Sequence, residues 1–285
     1  MGFNRQEWLD SHTYDLQDRV VAITGATSVL GRYVVRDLLK VNAQVVMLDR
    51  DLPTMQKFSE ELKAEFPHAL VECVQIDLSQ IKSIDSAVTQ IINRRLDYLI
   101  LGVGVFKIPV ATSQLGYNNI FQINFVGQYY LMRQLLPALQ RNNGKVVALT
   151  SYAYNEGKLD EDDIDYSKYS KQPSKIYGNA KRFLTLALSE FFKDRDDVRL
   201  ALVHTGIVTR SALKILFPKP EIAALNIVRG VFENITCEQW IGPKIAKFWG
   251  VPTVMQLPTA TAEERAKIYN IAENICKVID KSTML

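Results

Sequence analysis

The chain has 285 residues, 47% of them hydrophobic and 23% charged, which is the balance of an ordinary soluble globular protein with enough chain to bury a large core. Its 34 basic and 31 acidic residues leave a net charge of +3 with no basic block, so nucleic acid is not indicated as a partner. No apolar run approaches the 18 or so residues that a membrane span needs.

Cys73, Cys237 and Cys276 are odd in number, far apart and without metal-ligand spacing. They read as buried thiols of a reducing compartment, and a cytoplasmic protein without a metal is expected. The first eight residues carry neither a signal-peptide h-region nor a myristoylation pattern. Asn234-Ile-Thr236 matches a glycosylation acceptor by chance only.

Residues 1–18 lack a hydrophobic period and read as an N-terminal arm or short helix ahead of the fold, which occupies 19–285. Arg19 to Thr24 is a short β-branched run. It is followed at once by Gly25-Ala-Thr-Ser-Val-Leu-Gly31 and a helical pattern from Arg32 to Lys40. Strand, glycine turn and helix open a dinucleotide-binding unit, because glycine lets the backbone bend close to a pyrophosphate that the helix N-terminal amides attract.

A second strand, Gln44 to Leu48, ends in Asp49-Arg50, about 20 residues beyond the turn, where an acidic residue accepts hydrogen bonds from a ribose. A carboxylate there repels a 2′-phosphate. The reading therefore favours NAD(H), while Arg50 keeps NADP(H) open; as a rival, Asp49 caps the following helix.

The alternation continues with a helix near 53–65, a strand from Val71 to Ile76, Asp77-Leu78-Ser79, and a helix through Val88 and Ile92. The strand Leu96 to Leu101 runs directly into Gly102-Val103-Gly104. Strands separated by helices of this length predict a parallel sheet with right-handed crossovers, and Asp77 and Gly102 fall at its ligand-binding carboxyl edge.

A helix from about Ser113 to Gln140 follows, with Asn124 on or beside its apolar stripe. The fifth strand, Lys145 to Thr150, ends at Ser151. Tyr154 and Lys158 stand four apart in a polar stretch that reads as a solvated loop.

Tyr177 and Lys181 are also four apart, but on a helix from Ser174 to Phe192 whose other residues have the spacing of a buried face. An ammonium near a phenol favours the phenolate, which would make Tyr177 usable for proton transfer near neutrality. A sixth strand, Arg199 to Val203, ends in His204-Thr205-Gly206. An apolar segment interrupted by Pro218 and Pro220 follows, placed as a substrate lid over about 207–235. Glu238 to Ile241 is a last short strand, Trp240, Phe248 and Trp249 are anchors, and an amphipathic helix spans about 261–280.

Taken together, Thr24 to Gly31, Asp77, Asn124, Ser151 and the pair Tyr177 and Lys181 resemble the short-chain dehydrogenase/reductase family over residues 19 to about 210. The 26-residue interval between Ser151 and Tyr177, with its acidic insert Asp160 to Asp165, looks most like the retinol dehydrogenase-like branch. The resemblance implies a single α/β Rossmann-type domain, a doubly wound parallel sheet of about seven strands with helices on both faces.

It implies a tetrad of Asn124, Ser151, Tyr177 and Lys181. Cofactor contacts are implied at Thr24, Gly25, Thr27, Ser28, Val29, Leu30, Gly31, Asp49, Arg50, Asp77, Leu78, Gly102, Val103, Gly104, Thr205, Gly206 and Val208, with Tyr177 and Lys181 shared. The activity implied is NAD(P)-dependent interconversion of a hydroxyl and a carbonyl, the apolar lid segment suggesting a nonpolar small molecule, and the Tyr177 helix is of the kind the family uses for homodimer or homotetramer contacts.

Three positions depart from the family pattern. Val29 stands for the middle glycine of the cofactor turn, Leu101 to Gly104 replaces Asn-Asn-Ala-Gly, and Thr205-Gly206 replaces Pro-Gly. Val29 and Gly102 motivate the alternative of a catalytically silent nucleotide sensor or scaffold on the same fold.

Overall fold

The computed structural model describes residues 3–106, 108–206, 218–245 and 249–283. A helix α1 (Arg5–His12) precedes β1 (Val20–Thr24), α2 (Val29–Lys40), β2 (Gln44–Asp49), α3 (Leu52–Glu65), β3 (Val71–Gln75), α4 (Ile81–Ile91) and β4 (Tyr98–Leu101). The second half continues with α5 (Asn119–Phe121), a π-helical turn (Gln122–Val126), α6 (Gly127–Gln140), β5 (Lys145–Leu149), α7 (Pro173–Phe192) and β6 (Arg199–Val203). The short helices α8 (Pro220–Ala223) and α9 (Leu225–Phe232), β7 (Gln239–Ile245), β8 (Trp249–Gln256) and α10 (Ala262–Thr283) complete it.

The described strands form one sheet in the order β3-β2-β1-β4-β5-β6-β7-β8. Neighbours from β3 through β7 are parallel, and the last pair, β7 with β8, is antiparallel. This is the doubly wound arrangement, with the chain reversing between β1 and β4 so that a crevice opens at the carboxyl ends of those strands.

Because helices cover both faces, the central strands are apolar along their whole length, and successive residues feed opposite cores. Ala22, Leu99, Val146 and Leu200 join Ile84, Leu135, Leu184 and Ile268 on one side. Val21, Ile23, Ile100 and Val147 join Val34, Phe58, Trp8 and Leu225 on the other.

There are eight described strands rather than about seven: residues 249–256 pair with β7 despite Gly250 and Pro252, which an edge strand tolerates because one row of its amides needs no partner. The helix expected from Ser113 begins at Asn119. Residues 112–118 form a turn closed by a Thr112–Asn118 bridge, with Gly116 at φ +84°.

Of the proposed lid, 207–217 lies outside the described residues, as does Phe248. Residues 225–232 are not a lid, since Leu225, Ile227, Val228 and Val231 are buried in the core, and a Cβ on Gly230 would stand 2.7 Å from Val203 and 2.8 Å from Val147.

Tyr154 is not in a solvated loop. It is fully buried in a 3-10 turn, donates to the Pro258 carbonyl at 3.3 Å and lies under the Arg182 guanidinium. The acidic insert is likewise structural: Asp163 and Asp165 are buried, and Asp165 accepts the Asn118 amide at 2.5 Å. Of the thiols, only Cys276 is buried, Cys73 and Cys237 being partly exposed.

Candidate active site

At the end of β1 the chain reverses through Gly25, whose φ of +71° only glycine adopts without strain, while its amide donates to Leu48 at 2.8 Å. Six residues on, a Cβ on Gly31 would lie 2.2 Å from the Gly25 carbonyl, so α2 can pack against the turn only with glycine there. Ser28 caps α2 by accepting the Gly31 amide at 3.0 Å.

Val29 and Leu30 are the first two residues of α2, and amides in that position have no partner inside their own helix. The substitution at Val29 leaves the turn closed. Its branched side chain is partly exposed at the crevice.

Asp49 sits beside this turn. Its carboxylate accepts the Thr27 amide at 3.1 Å, the Thr27 hydroxyl at 2.5 Å and the Arg50 amide at 2.9 Å. Asp49 is not the cap of α3, because Asp51 takes that role by accepting the Thr54 amide. Arg50 is exposed beside it.

Asp77 closes a local turn by accepting the Ser79 amide and hydroxyl. The buried Leu78 presents its carbonyl to Gly127, where a Cβ would approach within 2.2 Å. Thr24 ties β1 to the next loop, with the Gly102 amide donating to its hydroxyl at 2.9 Å. Thr205 is buried and Gly206 turns at φ +68°; Val208 lies outside the described residues. A bent glycine turn at a helix N-terminus, a carboxylate one strand over and the backbone of 102–104 line one crevice. They fit the phosphates and ribose of a dinucleotide.

The proton-transfer candidates stand across the same crevice. Ser151 follows β5 and caps the next turn, accepting the Ala153 amide at 3.2 Å. Tyr177, in the first turns of α7, stands beside Ser151, whose hydroxyl favours the ionised phenol. A Cβ on Gly104 would lie 3.4 Å from the Tyr177 hydroxyl, which places the β4 loop directly against it.

Lys181 is fully buried one turn further along α7, and its Nζ donates to the carbonyls of Leu149 at 2.7 Å and Val103 at 2.9 Å. The Thr185 hydroxyl donates to the Lys181 carbonyl and so accepts from Thr150 at 2.5 Å, fixing the floor beneath the lysine.

The electrostatics differ from the simple lysine-lowers-tyrosine expectation. Burial pushes the Tyr177 phenol above the usual tyrosine range, with the nearby Ser151 hydroxyl acting the other way. Burial likewise pushes Lys181 down, to about 7. The ammonium points at two carbonyls, 5.8 Å from the Tyr177 ring centre, and both groups lose hydration, so each is shifted toward its neutral form.

Asn124 lies inside the π-turn, fully buried. Its amide nitrogen donates to Val105 and Ile120, each at 2.7 Å, and its Oδ1 accepts the Val105 amide at 3.0 Å, so the side chain clamps the β4 loop from both sides.

The model of the short chain dehydrogenase family matches residues 19–161, just over half of the chain. The chain belongs to that family. Relatives within this oxidoreductase family include the oxidoreductase calI of Penicillium decumbens, 28% identical over 214 residues that cover 71% of this chain and 61% of that one. Human retinol dehydrogenase 14 is 27% identical over 212 residues, 68% of this chain and 62% of its own length. The match thus spans less than two thirds of either relative.

Among solved structures, an uncharacterised protein from Mycobacterium paratuberculosis superposes with a TM-score of 0.78 at 22% identity, covering 97% of this chain and 98% of that one. A metagenomic short-chain oxidoreductase in complex with NADP gives a TM-score of 0.57 at 23% identity, over 78% of this chain and 96% of that one. At these identities the superpositions show the shared fold.

Within this family member the structure brings Ser151, Tyr177 and Lys181 together at the crevice that Gly25, Asp49 and Gly102 to Gly104 line. Asn124 lies one layer behind them. Gln128 and Phe106 complete the site without a motif to mark them. Phe106 is exposed and packs its ring 5.5 Å from that of Tyr177. Gln128 carries the same signal as Asn124, a polar amide on the core-facing side of one helix.

Proposed function

We propose that the chain is an NAD(P)-dependent oxidoreductase that interconverts a hydroxyl and a carbonyl on a nonpolar small molecule, with NAD(H) as the favoured cofactor. The observation that carries this reading is Ser151 and Tyr177 standing together above the buried Lys181, facing the crevice beside the glycine turn. The dinucleotide, when bound, supplies the hydride acceptor or donor.

Tyr177 stands in its protonated form at neutral pH and can donate that proton to a substrate oxygen. Ser151 offers a hydroxyl to the same oxygen and fixes its position. Lys181 holds the Leu149 and Val103 carbonyls and stands one turn along α7 from the phenol. Phe106 and Val103 give the crevice an apolar wall that suits a nonpolar substrate. The Asp49 carboxylate, already anchored by Thr27, places a negative charge where a 2′-phosphate would meet it, which supports NAD(H).

Tyr177→Phe is the decisive test. Loss of the proton donor is expected to lower turnover on an aldehyde and ketone panel by about 10²- to 10⁴-fold while fluorescence titration shows dinucleotide binding retained. Undiminished turnover in the variant rules the assignment out.

A further inference from the structure

The π-turn over Gln122–Val126 departs from the regular helical ladder, and Asn124 lies inside it. Gln128, one turn on, reaches back to the Asn124 carbonyl. Its side chain is fully buried, and its Nε2 donates to the Asn124 carbonyl at 2.9 Å and to the Val103 carbonyl at 3.2 Å. The two acceptors settle which end of the amide faces them, because the reversed orientation would set an oxygen against two oxygens. The other end, Oε1, is buried without a hydrogen-bond partner, a cost of the kind a structure retains where the remaining contacts serve something else.

The Val103 carbonyl is also the acceptor of Lys181 Nζ at 2.9 Å. One carbonyl of the β4 loop therefore joins the lysine to the π-turn.

We propose that Gln128 is a positioning residue: its amide ties the Val103 carbonyl to the Asn124 carbonyl inside the π-turn, and so fixes where the Lys181 ammonium stands relative to Tyr177. This rests on the proton-transfer reading of Tyr177 and Lys181 given above. The surroundings favour a mechanical role over an electrostatic one. The strand-end residues Leu149, Thr150 and Ser151, the loop 102–105 and the helical residues 124–128 bring no acidic or basic side chain against the lysine, and the titratable group near it is Tyr177 of its own helix.

The test uses Gln128→Met, which keeps the side-chain length and removes both donors, with Gln134→Met as the control. Gln134 lies on the same helix, donates one side-chain hydrogen bond to Asp280 at 3.0 Å and is remote from the crevice. Two readouts are taken: the pH profile of kcat/KM with the best substrate of the panel, and the Lys181 titration followed by NMR in protein labelled with ¹³C at lysine Cε, assigned with Lys181→Arg.

Gln128→Met is expected to lower kcat/KM about tenfold, the equivalent of one hydrogen bond to a positioned group, and to move the Lys181 midpoint up toward the ordinary lysine range as the loop loosens and water reaches the amine. Gln134→Met should do neither. A Lys181 midpoint and pH profile in Gln128→Met that coincide with wild type would overturn the proposal. Should that variant not fold, Gln128→Leu removes the same donors without adding a charge and is judged by the same midpoint. The NMR titration needs no substrate, so failure of the oxidoreductase reading would show as an inactive wild-type protein while the positioning role is still decided.

Discussion

Replacing Lys181 with methionine is expected to do two opposite things, to abolish turnover and to stabilise the fold below about pH 9. The lysine is fully buried, and burial lowers its midpoint from 10.5 to about 7. Between those values the unfolded chain holds a proton that the folded chain has shed. Wild-type stability therefore rises with pH across the window, at about 1.4 kcal/mol per pH unit, and is flat below it where both states are protonated.

Across the roughly 3.5 pH units that separate 7 from 10.5 the whole effect is about 5 kcal/mol, which is the penalty the wild-type protein carries at neutral and acid pH. Methionine escapes it but leaves the Val103 and Leu149 carbonyls without their donor, a loss of about 1 to 1.5 kcal/mol each. The net gain near neutrality is then about 2 kcal/mol, or about 3 °C in Tm for a chain of 285 residues. The two effects balance near about pH 9, above which the variant becomes the less stable form.

Urea unfolding at about pH 6.5, 8 and 9.5, run beside steady-state kinetics, measures both consequences. A variant that is destabilised by the same amount at every pH would refute the reasoning, because it would mean that the amine is not desolvated in the folded state.

Three further outcomes follow from the same coordinates. Asp49→Asn keeps the side-chain shape beside Thr27 and removes its charge, so the affinity ratio of NADPH to NADH in fluorescence titrations should rise about five- to tenfold; an unchanged ratio would mean that Asp49 does not face the 2′-position. Gly127→Ala sets a Cβ 2.2 Å from the Leu78 carbonyl, an overpacking cost of about 1 to 3 kcal/mol that should lower Tm by about 2 to 5 °C. The same change should weaken dinucleotide binding, because Leu78 and Asp77 must move with it. Finally, α7 is covered by α10 through the Arg182–Glu264 and Arg265–Ser189 contacts, which occupies the face expected for homodimer or homotetramer contacts. Hydrogen exchange in α7 and α10 should therefore be independent of protein concentration, and protection that grows with concentration would show a partner displacing α10.

The strands and the glycine turn were legible because doubly covered strands are apolar along their whole length and end abruptly in turns, a pattern that β1, β2, β4 and β5 all show. Asp49, Ser151, Tyr177 and Lys181 were legible because each sits at a position that topology fixes, a strand end or one helix face. What stayed hidden depends on tertiary partners. Residues 225–232 read as a mobile cover until Gly230 is seen flush against Val203 and Val147. Residues 249–256 hide a strand behind a glycine and a proline that only an edge position excuses. Tyr154 looks solvated because its neighbours in sequence are polar, while its neighbours in space are Arg182, Trp240 and Pro258. The direction of the Lys181 ammonium depends on two backbone carbonyls, which no side-chain pattern records.

The fork between Arg182 and Glu264, at 2.7 and 2.6 Å, joins the C-terminal helix to the residue immediately after Lys181. A hybrid enzyme that borrowed its tail from a cousin would have to bring an acidic group to that spot, or leave a stranded guanidinium one peptide away from the amine. Grafting boundaries placed anywhere between 193 and 264 would thus inherit a hidden compatibility rule, in which the two ends of the graft must be chosen as a pair.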